Sequence, residues 1–460
     1  MPIVNDVPAA TRSAGDLEEL DRRVLLHPHQ SGARNERCVV VRGSGCTVWD
    51  AHGTELLDVM GGGNWVAQVG HGRTELADAA ARQLGRLEYF TGFDIFSNDQ
   101  SLELAERLVR RAPDGLDRVF FTNGGSEAVE SAIKFARLFH HHRGQPDRTW
   151  ILSRHYAYHG STYGSGTATG IPGMHAGIGL GLPHVEKVSP PYPYRAAELY
   201  GGAETTDFLL RELAETIDRI GPGNIAAMIG EPVMGGAGIL VPPADYWPRV
   251  RELLTRHGIL LIADEVVTAF GRTGAWFDSA ARGMAADLVV IAKGLTSGYA
   301  PLGAVLLRDD IGETVAGGGN YLFHGHTYSG HPTACAIALA NLDLLEREEL
   351  VARAGTIGQW FRAALAPLSG LPQVGEVRVA GATVGVELVT DQDSRTPLMA
   401  GAVATELRHA HRVVARDYGN TLVMAPPLVI TEEQVGRAAA ALVDVVARLD
   451  ADGTLAGRSR

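Results

Sequence analysis

Short apolar runs alternating with amphipathic stretches mark the middle of the chain. Six runs, at 119–122, 150–152, 226–229, 259–263, 288–292 and 304–307, have the length and β-branched content of strands buried on both faces. Stretches of helical period lie between several of them, at 126–142, 206–220 and 246–257, and another, 74–86, precedes them. This alternation predicts an α/β fold: a mostly parallel sheet with helices on both faces.

The flanks follow a different pattern. Residues 37–59 break into three short β pieces, 38–41, 47–49 and 56–59, with Gly43, Gly45 and Gly53 as turns. A long amphipathic helix at 332–345 leaves the central unit. After it, 374–389 alternates like an antiparallel pair turning at Gly381, 396–409 is helical, 423–429 is apolar, and 431–449 is a closing helix. The expected organisation is an N-terminal segment, 1–73, that joins a small α+β domain and supplies a pocket loop, a large domain, 74–335, and a C-terminal small domain, 336–460. Residues 1–20 and the last few are small and polar and read as flexible. Gly61-Gly62-Gly63-Asn64-Trp65 lacks the Gly-x-Gly-x-x-Gly spacing of a dinucleotide turn and reads as a mobile loop carrying Trp65.

Composition narrows the class. The chain has 460 residues, is 45% hydrophobic and 20% charged, and contains no apolar run approaching the ~18 residues of a membrane span. Met1 to Gly15 lacks the basic start and apolar core of a signal peptide. Cys38, Cys46 and Cys335 have neither metal nor redox spacing and read as reduced thiols, so a cytoplasmic location is expected. A net charge of −12 without a basic stripe argues against nucleic acid. The histidine run His140-His141-His142 falls at a helix end, where cations suit the dipole; no metal site is expected there or around His324, His326 and His331.

The chemistry gathers at strand ends. Residues 287–294 read Asp-Leu-Val-Val-Ile-Ala-Lys-Gly, which places Lys293 at the carboxyl edge of the sheet, where open α/β sheets bind ligands. Only Lys134, Lys187 and Lys293 among the 41 basic residues are lysine. A lysine there points to a need for a primary amine, which can attack a carbonyl where a guanidinium cannot. Thr122-Asn123-Gly124-Gly125-Ser126-Glu127 joins a strand to a helix and would present N–H groups and a hydroxyl to a phosphate, although Ser126 could also be an ordinary helix cap. The 259–263 strand ends in Asp264-Glu265, of which one can face a given pocket and the other can cap the next helix. A phosphate cradle, an acid and an amine at one edge match the needs of pyridoxal phosphate.

On these motifs the chain resembles the class III aminotransferases of the ω type, in pyridoxal-phosphate fold type I. The resemblance runs from about Leu20 to Leu449. It rests on Thr-Asn-Gly-Gly-Ser-Glu-Ala-Val-Glu at 122–130, Tyr-His-Gly-Ser at 158–161, Gly-Glu-Pro-Val at 230–233, Asp-Glu-Val at 264–266, Ala-Lys-Gly at 292–294 and Thr-Tyr-Ser-Gly-His-Pro at 327–332. It implies a seven-stranded, mostly parallel sheet and pyridoxal 5'-phosphate as cofactor. Lys293 would be the Schiff-base lysine, Gly125 and Ser126 the phosphate turn, Tyr158 the ring that stacks on the cofactor, Asp264 the partner of its pyridine nitrogen, and Val266 the packing behind it. Thr327 would reach the phosphate of a neighbouring subunit, which implies a homodimer. Trp65, Phe90 and Phe93 would wall the amine pocket. Glu231 would be an acid on the substrate side, and Arg416 would grip a substrate carboxylate and, when a donor has none, swing aside or pair with Glu231. Two departures stand out. Gly124 replaces a serine common among relatives, and His326 stands where several have an aromatic residue, which bears on the phosphate neighbourhood or the substrate mouth.

The implied reaction moves a terminal primary amino group from an amine or amino acid to pyruvate or 2-oxoglutarate. An aminomutase needing no external keto acid, and a non-catalytic relative, are the other readings. The donor stays open among ω-amino acids, diamines, arylalkylamines and amino sugars. The preference for arginine over lysine suggests a GC-rich genome and keeps natural-product amines in view.

Overall fold

The computed structural model describes residues 12–30, 36–179 and 181–456. A seven-stranded mixed sheet lies at its centre, in the order Arg118–Thr122, Gly303–Leu307, Leu288–Ile291, Leu260–Asp264, Ile225–Gly230, Trp150–Arg154, Val185–Val188. Only Gly303–Leu307 runs antiparallel to its neighbours. All six expected strands are present. The seventh, Val185–Val188, escaped the apolar-run reading because it is a half-exposed edge strand with Glu186 and Lys187 at its centre.

The central strands are apolar throughout because helices cover both faces. Every residue of Ile225–Gly230 and Leu260–Asp264 is buried. Helix Gly125–His142 lays Ala128, Val129, Ala132, Ile133, Ala136 and Phe139 on one face. Their spacing of three and four residues is the helical stripe read in the sequence. On the other face, Trp247, Val250 and Leu254 of helix Tyr246–Arg256 join Leu152, Met228 and Leu261.

Two four-stranded sheets flank the large one. In one, Val40–Ser44, Thr47–Asp50 and Glu55–Asp58 form an antiparallel run, and Val413–Val414 adds a parallel edge, tying the N-terminal segment to the C-terminal one. The other is Val374–Ala380, Thr383–Leu388, Thr421–Met424 and Arg416–Tyr418, antiparallel throughout. Its first pair turns at Gly381, as the alternation implied. The long helix Pro332–Arg347 is buried along most of its length, and helix Glu432–Ala447 closes the chain's packing.

Three local expectations change. Residues 14–24, read as flexible or unassigned, form helix Ala14–Val24, started by a capping box between Ser13 and Asp16; residues 1–11 and 457–460, also read as flexible, lie outside the described residues. The expected helix at 396–409 begins only at Gly401, because Leu398 donates to Leu388 O and Thr390 to Thr396 O, holding that stretch extended against the sheet. The apolar stretch at 423–429 stops being strand at Met424, before Pro426 and Pro427, which have no N–H to give.

Candidate active site

Five segments leave the carboxyl edge of the large sheet and converge on one cleft of about 130 Å³. Trp65, Gly125, Ser126, Tyr158, Glu231, Asp264, Val266 and Lys293 all line it. These residues are far apart in the chain; the parallel strands bring all but Trp65 together by ending on the same edge, and Trp65 comes from the segment after Glu55–Asp58 in a flanking sheet.

Lys293 follows strand Leu288–Ile291 in a left-handed backbone conformation, φ +42°, which turns its side chain across the edge. Its Nζ lies 5.2 Å from the Trp65 ring centroid. Burial lowers its pKa to about 8, against the opposing pull of Asp264 and Glu231. The neutral amine is therefore a minor fraction near neutral pH, though a far larger one than for an ordinary lysine, and it becomes the majority only above about pH 8.

Asp264 ends strand Leu260–Asp264, is buried, and has Oδ2 2.6 Å from His159 Nδ1. Its Oδ1 accepts from Val266 N at 3.1 Å. His159 was quoted within a motif but given no role. Its signal was the strand-end Tyr-His-Gly-Ser, yet only the fold shows which acid it meets. The adjacent Glu265 turns away, accepting from Asp278 N at 3.1 Å and Ser279 N at 2.6 Å. The choice between two neighbouring acids that alternation left open is settled by that turn.

Helix Gly125–His142 points its N-terminus into the cleft. Its first helical bond is Ala128 N to Gly124 O, so the N–H groups of Gly125, Ser126 and Glu127 precede the hydrogen-bond ladder. Ser126 Oγ accepts from Ser161 N at 3.2 Å. A Cβ on Gly125 would lie 3.0 Å from Val266 Cγ1, so glycine is what lets Val266 lie against the turn. The donor set fits pyridoxal phosphate. Unbonded N–H groups suit the phosphate, the Tyr158 and Val266 side chains suit a flat ring, a buried carboxylate suits a ring nitrogen, and an amine that loses its proton more readily than an ordinary lysine suits an aldehyde.

Trp65 does not ride on a loose loop. Asp58 accepts from Met60 N at 2.8 Å and Gly62 N at 2.6 Å, Val66 donates to Gly61 O, and Gly62 and Gly63 take positive φ. Trp65 is 3% exposed and stacks on Tyr418, centroids 5.0 Å apart.

Glu231 and Arg416 do not meet. Glu231 is buried, its carboxyl pKa is raised by that burial, and its partner is Arg154, whose Nη2 lies 3.3 Å from Oε2 and donates to Glu231 O at 2.8 Å. Arg154 is fully buried and lies over Trp247. Arg416 Nη1 instead donates to Asn64 Oδ1 at 3.2 Å and Gly63 O at 3.4 Å. Phe90, Phe93 and Thr327 lie outside the cleft and are exposed. His324 and His326 face the outer side of the Gly125–His142 helix, with Ser131 Oγ 2.8 Å from His324 Nε2 and 3.4 Å from His326 Nε2. Among the described residues no group of three or more His, Cys, Asp or Glu could hold a metal ion.

The chain was compared with known proteins. Residues 29–446 match the family model described as aminotransferase class-III. The putrescine–pyruvate aminotransferase of Pseudomonas aeruginosa is 36% identical over 88% of this chain and 89% of its own. A thermostable (S)-enantioselective ω-transaminase from Thermomicrobium roseum superposes with a TM-score of 0.90 at 42% identity, covering 95% of this chain and 99% of its own. The ω-transaminase of Pseudomonas jessenii in complex with PMP does so with a TM-score of 0.90 at 36% identity, over 95% and 100%. With six motifs, a seven-stranded sheet and a near full-length match in agreement, this chain belongs to the class III aminotransferases, enzymes of pyridoxal-phosphate fold type I that transfer an amino group between an amine and a keto acid.

Proposed function

We propose that the cleft around Lys293 moves a terminal primary amino group from an amine donor to a keto acid such as pyruvate or 2-oxoglutarate, and that its residues divide the work as follows. Bound pyridoxal phosphate supplies a carbonyl for the amine and a ring that takes up the electrons of the broken C–H bond. Gly125 and Ser126 hold the phosphate at the helix N-terminus. Tyr158 and Val266 would pack against the cofactor's ring. Asp264, fixed by His159 and Val266 N, keeps a proton on the ring nitrogen. Lys293 Nζ would hold the aldehyde and, as a free neutral amine, would take the proton from the amine-bearing carbon of the donor. A pKa near 8 suits a group that must both accept and give a proton. The observation that carries this reading is the meeting of the Lys293 amine, the Asp264 carboxylate and an unbonded helix N-terminus in one cleft.

On the substrate side, Trp65 walls the amine pocket. Arg416 offers a guanidinium fork to the carboxylate of a keto acid and rests on Asn64 when the donor lacks one. The enzyme works as a homodimer. Support comes from Phe90, Phe93, Ile95, Phe96, Tyr321, Phe323 and Tyr328, all exposed in the single chain, and from Thr327 beside them. In the dimer Thr327 would reach the partner's phosphate, and Phe90 and Phe93 the partner's amine pocket. Residues 74–335 act as the cofactor-carrying unit, with 1–73 and 336–460 forming the smaller one, as the pairing of strand Val413–Val414 with Glu55–Asp58 supports. Among the described residues no helix is long and apolar enough to cross a membrane, and the three cysteines are free, which supports a reducing cytoplasm.

Borohydride reduction of the holoenzyme followed by peptide mass analysis tests the assignment. The pyridoxyl mass is expected on the peptide carrying Lys293, and Lys293→Ala is expected to lose both that mass and keto-acid-dependent turnover. The mass on another lysine, or turnover retained in the variant, would overturn it.

A further inference from the structure

The turn that carries Asn64 and Trp65 is made of residues that do not hold themselves in place. Gly61, Gly62 and Gly63 take φ +53°, +73° and +77°, and Trp65 takes +58°, a left-handed conformation that its bulk disfavours. Glycine loses more freedom on ordering than any other residue, so three in a row need an anchor. Asp58 supplies it. This residue ends strand Glu55–Asp58, is 2% exposed and does not line the cleft. Its Oδ1 accepts from Met60 N at 2.8 Å, while Oδ2 accepts from Gly62 N at 2.6 Å and lies 2.8 Å from His71 Nε2. Hydrogen bonds to a carboxylate are stronger than those between neutral groups.

The support continues behind Asp58. His71 N donates to Gly45 O and Gly45 N to His71 O, each at 2.9 Å. A Cβ on Gly43 would lie 2.8 Å from His71 Cβ, so glycine there admits the imidazole. Across the turn, a Cβ on Gly61 would lie 2.9 Å from Ala425 O and 3.4 Å from Nη2 of the fully buried Arg272. Held in this way, the turn delivers Asn64 and Trp65 to the cleft wall. Asn64 Oδ1 and Gly63 O both accept from Arg416 Nη1, at 3.2 and 3.4 Å. Among the described residues the Arg416 guanidinium has no other hydrogen-bond partner, so Nε and Nη2 stay available for a bidentate carboxylate. Besides burial, the Arg416 charge disfavours the protonated form of Lys293, which places the guanidinium near the cleft.

From this we propose that Asp58 is a positioning residue for keto-acid recognition: by anchoring the glycine turn it holds Asn64 beside Arg416, and Asn64 holds the guanidinium by one nitrogen. The substrate carboxylate then meets a guanidinium already in place, and binding does not have to order it. Asp58 does this without touching substrate or cofactor. The inference rests on the transaminase reading of the cleft and on Arg416 as the carboxylate's partner, and it names the residues that set how tightly the keto acid binds.

A double-mutant cycle on the holoenzyme tests it, with n-hexylamine as donor and pyruvate or 2-oxoglutarate as acceptor. Asp58→Ala is expected to raise the KM for the keto acid by about tenfold, with kcat within about threefold and the pyridoxyl mass still on Lys293. Asp58→Asn keeps one acceptor oxygen and should lie between, at about threefold. Asn64→Ala, at an exposed position, should raise that KM by about five- to tenfold. In an Arg416→Ala background both alanine variants should change it by less than about twofold, because their effect passes through the missing guanidinium. If Asp58→Ala does not fold, Asp58→Asn and Asn64→Ala decide by the same comparison. Effects that add to Arg416→Ala, a KM that falls or stays put, or a loss confined to kcat would overturn the positioning role and leave the transaminase reading intact. A keto-acid KM unmoved by Arg416→Ala itself would overturn both this role and the carboxylate assignment. No turnover, together with no pyridoxyl mass on Lys293, would overturn the transaminase reading as well.

Discussion

Lys293 should cost the cofactor-free protein stability, with a pH signature that its pKa specifies. Burial in the cleft lowers that pKa from the ordinary 10.5 to about 8, even though Asp264 and Glu231 pull the other way. Between those two values the unfolded chain holds a proton on this amine that the folded chain has released. Stability then rises with pH across the window, and the cost of charging the buried amine is fully present below it. From pH 7 to pH 10 the linkage amounts to about 2–3 kcal/mol. Lys293→Met fills similar space and abolishes the titration. In urea unfolding of the cofactor-stripped proteins at pH 7, 8.5 and 10, the variant should be the more stable at pH 7. Its advantage should shrink by about 2–3 kcal/mol by pH 10. Comparing the two proteins at each pH cancels the titration of every other group. A pH-independent difference, or one that grows with pH, would refute the placement of a desolvated lysine here. With pyridoxal phosphate present the order should invert, because tight binding to the native wild type alone stabilises it by mass action.

Other residues of the site yield further expectations. Arg154→Met should destabilise the fold by about 3–5 kcal/mol in urea unfolding, since it leaves Glu231 buried without its partner, and adding Glu231→Gln should restore most of the loss. His159→Phe removes the group 2.6 Å from Asp264 Oδ2; losing a buried partner worth about 1–3 kcal/mol should weaken cofactor retention by roughly tenfold or more, measured by dialysis and absorbance. Gly124→Ser should be tolerated, because a Cβ there meets nothing within 4 Å, and a hydroxyl donating to phosphate should tighten cofactor binding by about tenfold in a reconstitution titration. Arg416→Ala should raise the KM for 2-oxoglutarate by roughly 10–100-fold while leaving that for a neutral amine nearly unchanged in steady-state kinetics.

Local pattern was enough to read much of this protein from its sequence. Apolar runs of strand length, helical stripes between them and the Gly125-Ser126 turn are set by neighbours within a few positions, and their order along the chain predicts a sheet whose carboxyl edge carries Asp264 and Lys293. Residues 14–24 and 185–188 were missed for the converse reason: a capped surface helix and a half-exposed edge strand have too little apolar signal to stand out. Three-dimensional packing alone decided the pairings. His159 finds Asp264 across 105 residues, Glu231 finds Arg154 across 77, and Arg416 finds Asn64 across 352. Such contacts depend on how separate strands and helices stack, and residue spacing carries no record of which distant groups that stacking brings within a few ångströms.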